Sequence, residues 1–290
     1  MSFYRLEELF PEQLQTRLEL CPALVLSFGT IEWHSHHLPL GLDGLVAQAL
    51  GEQVAERIGA VVAPVSYWAA GGVPYPYTLQ LPGSLIEPLL LAIFEQFAAI
   101  GFRVIVALTG HFGLEQTLIL KRAALQVMRH TSVAILPLTE YDLTTDLGYS
   151  GDHAGVGETS LLLALRPELV RLDAVPADAP LDGVLGIDPR GSASAARGRE
   201  LFDHITEYTA RFATRLLYHT SAAQHHEYIE ALDIGVQVLE RTMQKRQVQP
   251  KERVPAVTTP AYLAYSQAMA IGDYGAAQEH AKRKLHALAT

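Results

Sequence analysis

Two short, wholly apolar runs in this chain each break off into a loop built from glycine and histidine. Ala23-Leu24-Val25-Leu26 leads into Gly29 and then Glu32, His34, His36, His37 and Asp43, and, after Arg103, Val104-Ile105-Val106-Ala107-Leu108 leads into Thr109-Gly110-His111-Phe112-Gly113. Apolar runs of this length without polar alternation belong to strands buried on both faces, as in a parallel sheet covered by helices. In such sheets ligands gather beyond the carboxyl ends of the strands, where these loops must lie. The pattern predicts a layered α/β domain, with a mostly parallel central sheet flanked by helices. Strands are expected at 23–28, 60–65, 103–108 and 132–136, and helices at 43–58, 84–100, 114–129, 157–165 and 192–218.

The first loop concentrates carboxylate oxygens and imidazole nitrogens, the donors that borderline divalent metals bind. If the extended path of the strand continues through Glu32 and His34, both side chains point to one side. Leu38-Pro39-Leu40-Gly41 has the turn chemistry to bring Asp43 back toward them, and a carboxylate arriving from a second direction can bridge two cations roughly 3.5 Å apart. Asp43-Gly44 also reads as a helix N-cap.

A third cluster, Gly151-Asp152-His153-Ala154-Gly155-Val156-Gly157-Glu158-Thr159-Ser160, opens a helical stretch. Glu158 alone would simply answer the helix dipole. With His153 five residues before it, the pair is read as completing the site.

These segments together resemble the creatininase (creatinine amidohydrolase) family. Gly29-Thr30-Ile31-Glu32-Trp33-His34-Ser35-His36-His37-Leu38-Pro39 is similar to its Gly-Ser-x-Glu-Gln-His-Gly-Pro-His-Leu-Pro signature, with Asp43 where the bridging aspartate falls. Thr109-Gly110-His111 resembles its Asn-Gly-His motif, and His153-Ala154-Gly155-Val156-Gly157-Glu158-Thr159-Ser160 its His-Ala-Gly-x-x-Glu-Thr-Ser motif. Gly183-Val184-Leu185-Gly186-Ile187-Asp188-Pro189 resembles its Gly-x-x-Gly-Asp-Pro segment. The resemblance runs from about residue 3 to 218. It implies an amidohydrolase with two divalent metal ions, zinc first and manganese or iron as alternatives, acting on the C–N bond of a small cyclic or linear amide. By resemblance, Glu32 and His111 hold one metal, His34 the other and Asp43 both. His153 is the general acid toward the departing nitrogen, and Glu158 is a ligand or the base that handles the water proton. The family's ring-like hexamers imply a homo-oligomer.

The departures from the family are specific. Creatinine-hydrolysing members carry a metal-binding Glu where this chain has Gly113, so Glu158, or else Glu115, must supply that ligand. Otherwise the chain is a metal-poor member that binds a small ligand or partner without turnover. Trp33, Ser35-His36 and Phe112-Gly113-Leu114 replace family residues at the expected pocket wall, which points away from creatinine itself more than from the chemistry. Peptide trimming would need an open groove.

A net charge of −9 without a basic stripe argues against nucleic acid. No window reaches roughly 18 uninterrupted apolar residues, so no membrane partner is expected. The acidic start, Met1 to Glu8, reads against a signal peptide, and the single Cys21 fits a cytoplasmic protein. Residues 1–218 are expected to form the hydrolase domain and 219–290 a helical C-terminal extension: a polar helix over Ser221–Gln249, a linker-like break at Pro250–Pro260 and a helical Ala261–Ala289. Tyr228, Leu232, Val236 and Leu239 form an apolar stripe that needs a covering partner, either a neighbouring subunit or the domain's own flank. The aromatic loop 71–77 is expected to lie over the site.

Overall fold

The computed structural model describes residues 3–175, 178, 180–248 and 259–289. Among them, β1 (Tyr4–Arg5), β2 (Ala23–Phe28), β3 (Val61–Val62), β4 (Val104–Thr109) and β5 (Ala134–Thr139) form one all-parallel sheet in the order β1-β3-β2-β4-β5. β2 and β4 are buried along their whole length, as their apolar composition requires. The strand expected at 60–65 keeps only two residues, and the one expected at 132–136 starts later and runs to Thr139.

That last strand contains Pro137, which sequence reading sets against a strand. Ala134 N–H donates to Arg103 O, so residues 135 and 137 face away from β4. The N–H that proline lacks would have pointed off the edge, where no ladder bond is lost. The carbonyls on that edge are satisfied by side chains: Tyr228 O–H donates to Ile135 O at 2.7 Å and Lys121 Nζ to Pro137 O at 3.2 Å.

The helices are α1 (Pro11–Leu20), α2 (Leu42–Ile58), α3 (Gly83–Ile100), α4 (Leu114–Met128), α5 (Val156–Leu165), α6 (Ala195–Tyr218), α7 (Ala222–Val248), α8 (Pro260–Ile271) and α9 (Tyr274–Ala289). α2 packs on β2 and α6, α5 packs on α6, and α4 packs on β5 and α3. α3 is long and apolar enough to cross a membrane by composition. Here it lies against α4, with Ile86, Leu90 and Phe94 buried and Glu87 gripping Arg122 through both carboxylate oxygens.

The C-terminal helices cover the chain's own flank. α7 packs on α4, α9 on α7 and α8, and α8 on α6 and the 3-10 turn Glu140–Leu143. The stripe Tyr228, Leu232, Val236 and Leu239 is buried there. The helix expected over Ala261–Ala289 is broken at Gly272, whose φ of +85° ends α8 before α9 begins. Most of the expected break at Pro250–Pro260 lies outside the described residues. Beneath α8, Lys121 Nζ meets Asp142 Oδ2 at 2.8 Å, a buried ion pair.

Candidate metal centre

The site sits at the carboxyl ends of β2, β4 and β5 and is fed by three loops. The first does not continue as a strand: β2 stops at Phe28, and the chain beyond it is irregular. Its backbone bonds instead to its own return and to the 71–81 loop, with Glu32 N–H to Leu40 O, Leu79 N–H to Ile31 O and Trp33 N–H to the Thr78 hydroxyl. Glu32 and His34 still meet, but through this fold-back rather than through strand alternation.

Asp43 arrives on the first turn of α2. It is inside the helix and not its N-cap, which is Gly41. Two glycines make the approach possible: a Cβ on Gly29 would stand 2.1 Å from Gly44 N, and one on Gly110 would stand 2.2 Å from Asp43 O. The start of α2 is wedged between the ends of β2 and β4 because neither loop has a side chain at those points.

The cluster is tight. His34 Nε2 lies 2.9 Å from Asp43 Oδ1 and 3.7 Å from Glu158 Oε2, while His111 Nδ1 lies 2.9 Å from Glu32 Oε2 and 3.3 Å from Asp43 Oδ2. Two donors each about 2 Å from one cation sit roughly 3 to 4 Å apart, so these are ligand-to-ligand distances. Three groups each keep their donor atoms within 4.8 Å of one another: Glu32, Asp43 and His111; His34, Asp43 and Glu158; and Glu32, His34 and His153. Glu32 Oε2, His34 Nε2 and both Asp43 oxygens are buried without a hydrogen-bond partner. Buried polar atoms are seldom left so, and four of them among these donor groups fit cation binding.

Each histidine is anchored through its other nitrogen by a backbone carbonyl. His34 Nδ1 donates to Glu32 O at 3.0 Å, His111 Nε2 to Ala70 O at 3.1 Å and His153 Nε2 to Trp33 O at 2.9 Å. A carbonyl only accepts, so the facing nitrogen carries the proton and the inward one keeps its lone pair, as metal-binding histidines require.

The charges tell the same story. Where no cation balances the carboxylates, burial resists charging His111, yet the facing Asp43 and Glu32 raise it to about 10; His34 is raised in the same way, mainly by Asp43. The carboxylates draw in positive charge, a demand that a divalent cation also meets. Asp43 is held well below the usual carboxylate range: burial pushes it up, but His34 and His111 outweigh that. His153 goes the other way, pushed down to about 4 by burial and then by the charge of His34. Burial, with Asp152 and Asp43 nearby, raises Glu158 well above normal, and its Oε2 accepts from Ala154 N–H at 2.6 Å.

Other residues fall away from the cluster. Glu115, the alternative ligand, accepts from Gly83 N–H instead. His36 is exposed beside Trp33, and His37 bonds to Thr159 at 3.0 Å. The 71–77 loop does lie at the site, but through its backbone: Val73 N–H donates to Glu32 Oε1, while Tyr75 stacks on Trp33 at 3.7 Å. Sequence reasoning missed three supports. Asp152 accepts from Gly157 N–H and Glu158 N–H and so caps α5, which its place just before that helix signals. Leu185 pairs with His153 through both backbone bonds, and Glu140, wholly buried near Asp43, has its pKa raised by burial; neither leaves a local signal.

Ser35 and Ala154, each just after a site histidine, have φ of +57° and +51°. Left-handed backbone costs a side-chain-bearing residue about 1–2 kcal/mol, which explains the glycine in the family signature at the Ser35 position. The buried Ser35 hydroxyl also has no partner. Ser35→Gly is therefore expected to stabilise the ion-stripped protein by about 1 kcal/mol. This would be read as a higher urea midpoint at constant slope; a lower midpoint would refute it.

The family model for creatininase (creatinine amidohydrolase) matches residues 7–213. The chain belongs to the creatininase family. The creatinine amidohydrolase of Pseudomonas putida is 32% identical over 195 residues, 57% of this chain and 74% of that one. The mycofactocin precursor peptide peptidase of Mycobacterium ulcerans is 29% identical over 221 residues, 64% of this chain and 82% of that one. A solved creatininase in its Mn form superposes with a TM-score of 0.64 at 26% identity, covering 75% of this chain and all of that one. As a creatininase-family protein with candidate metal-binding groups, this chain has an amidohydrolase framework, while α7–α9 lie beyond the matched segment.

Proposed function

We propose that this protein is a metal-dependent amidohydrolase that holds two divalent cations and cleaves the C–N bond of a small cyclic or linear amide. Asp43 carries the reading: its two buried, unpartnered oxygens face different histidines, Oδ1 toward His34 and Oδ2 toward His111. Glu32, His111 and Asp43 would hold one cation, and His34, Asp43 and Glu158 the other. Glu158 then replaces the ligand missing at Gly113. A mixed imidazole and carboxylate set suits zinc, with manganese or iron as alternatives. Such ions supply Lewis acidity and lower the pKa of water.

The chain's own side chains handle the proton. His153 is neutral at working pH, with Nε2–H committed to Trp33 O and Nδ1 3.7 Å from Glu32 Oε1. Nδ1 is free to take a proton and return it to the departing nitrogen, the general-acid step that a poor amine leaving group needs. The cleft, about 800 Å³, is lined by Glu32, His111, His153, Glu158, Phe112 and Tyr141 among others and suits a small molecule. Exposed Leu85, Leu89 and Ile100 on α3 give a homo-oligomer, hexameric by resemblance, apolar surface to bury.

The test is metal analysis of the purified protein together with hydrolysis of a panel containing creatinine, formylated amines, lactams and a short peptide. About two ions per chain are expected, with turnover lost on chelation and restored by zinc, manganese or iron. A protein that takes up no metal on reconstitution and cleaves nothing would be the metal-poor binder instead.

A further inference from the structure

Leu185 is 62% exposed, yet it lines the cleft over the candidate metal centre. Its N–H donates to His153 O and its carbonyl accepts from His153 N–H, both at 2.8 Å, as an isolated antiparallel pair. Residues directly opposite in such a pair stand on the same face, with Cβ atoms about 5 Å apart. The Leu185 side chain is thereby placed beside the imidazole that, on the amidohydrolase reading, hands a proton to the departing nitrogen. From there the wall continues over two glycines. A Cβ on Gly186 would stand 2.8 Å from Asp152 Cβ, and one on Gly151 would stand 2.9 Å from Phe112 Cε2. The Phe112 ring at the far end is held edge-on by Tyr141, with centroids 4.9 Å apart. The charged neighbours are already engaged: Glu32 and Glu158 belong to the candidate cation groups, Asp152 accepts from Gly157 N–H and Glu158 N–H, and Arg246 interacts within the chain. A substituent on the departing nitrogen therefore meets an apolar surface that gains by being covered.

We propose that Leu185 is a specificity-determining residue, which selects amides whose departing amine carries an uncharged, apolar substituent. The inference rests on the amidohydrolase reading and deepens it, because it names the substrate class by its amine half.

The test is calorimetric binding to the full-length, zinc-loaded protein. The probes are N-hydroxyformamides, which can chelate the metal through their two oxygens and place a single N-substituent on the amine side: methyl, isobutyl, benzyl or 2-carboxyethyl. The wild type is expected to bind the isobutyl or benzyl probe about 10- to 100-fold more tightly than the methyl probe, the range of one apolar side chain leaving water, and the carboxyethyl probe no more tightly than the methyl one. Leu185→Ala should cut that preference at least about fourfold, the worth of one buried methylene, and Leu185→Met, which conserves volume, should keep most of it. No apolar preference, a preference that survives Leu185→Ala, tightest binding of the carboxyethyl probe, or a loss that comes with loss of bound zinc would each overturn the proposal. Because the readout is binding, a protein that shows the preference but hydrolyses no amide fails the amidohydrolase reading while the role of Leu185 is still decided.

Discussion

Asp43→Ala is expected to lower the bound metal from the proposed two ions per chain to one or fewer and to reduce turnover by at least about 1000-fold. Losing a residue that only orients a ligand costs about 10- to 100-fold in affinity or activity. Asp43 faces both histidines directly with both oxygens, so its loss strips a donor from two of the three groups at once. Gly110→Ala provides a companion that leaves every proposed ligand in place. Its Cβ would stand 2.2 Å from Asp43 O, so the start of α2 must shift, carrying Asp43 with it. Metal content by mass spectrometry should fall in both variants. If Gly110→Ala holds two ions as tightly as the wild type, the wedge between β2 and β4 does not set the site.

A protein ending at Tyr218 should fail to fold. Its loss uncovers the surface now packed by Tyr228, Leu232, Leu239, Tyr262 and Tyr265, all nearly inaccessible. At about 1.5–3 kcal/mol for each large apolar side chain, that burial amounts to about 7–15 kcal/mol as an upper estimate, comparable to a whole domain's stability. Truncation also removes the Tyr228 hydroxyl from Ile135 O, exposing the edge of β5, and opens the buried Lys121–Asp142 pair to water. Aggregation, or the absence of a cooperative urea transition, is the expected result. A soluble 1–218 protein with native near-ultraviolet circular dichroism and bound metal would show that the extension is dispensable.

Local pattern carried much of this protein. The apolar runs at 23–26 and 104–108 read as strands covered on both faces, and helices α2 to α6 fall within about three residues of their expected starts and ends because apolar spacing and glycine or proline stops act within a few turns. The residue types at 32, 34 and 43 pointed to cation-binding chemistry by their density, and 111, 153 and 158 by recurring as ligand types after later apolar runs and in the family's motifs. β3 was read too long, at 60–65 for Val61–Val62, and the two-residue β1 was illegible, since it exists only as a partner of β3. So was Pro137 in β5, permitted because its missing donor points off the sheet edge.

What only the tertiary structure decided is how those side chains are aimed. The carbonyls of Glu32, Ala70 and Trp33 choose which nitrogen of each histidine faces inward, and every residue type supplies the same carbonyl, so no letter of the sequence marks them. Glu158 rather than Glu115 joins His34 because the start of α5 packs beside the first loop while Glu115 turns to cap α3. Arg246 lines the cleft from about two hundred residues beyond Glu32. Chemistry is a property of residue type and can be read in order along a chain, whereas convergence is a property of long-range packing, which comes into being only when the layers close.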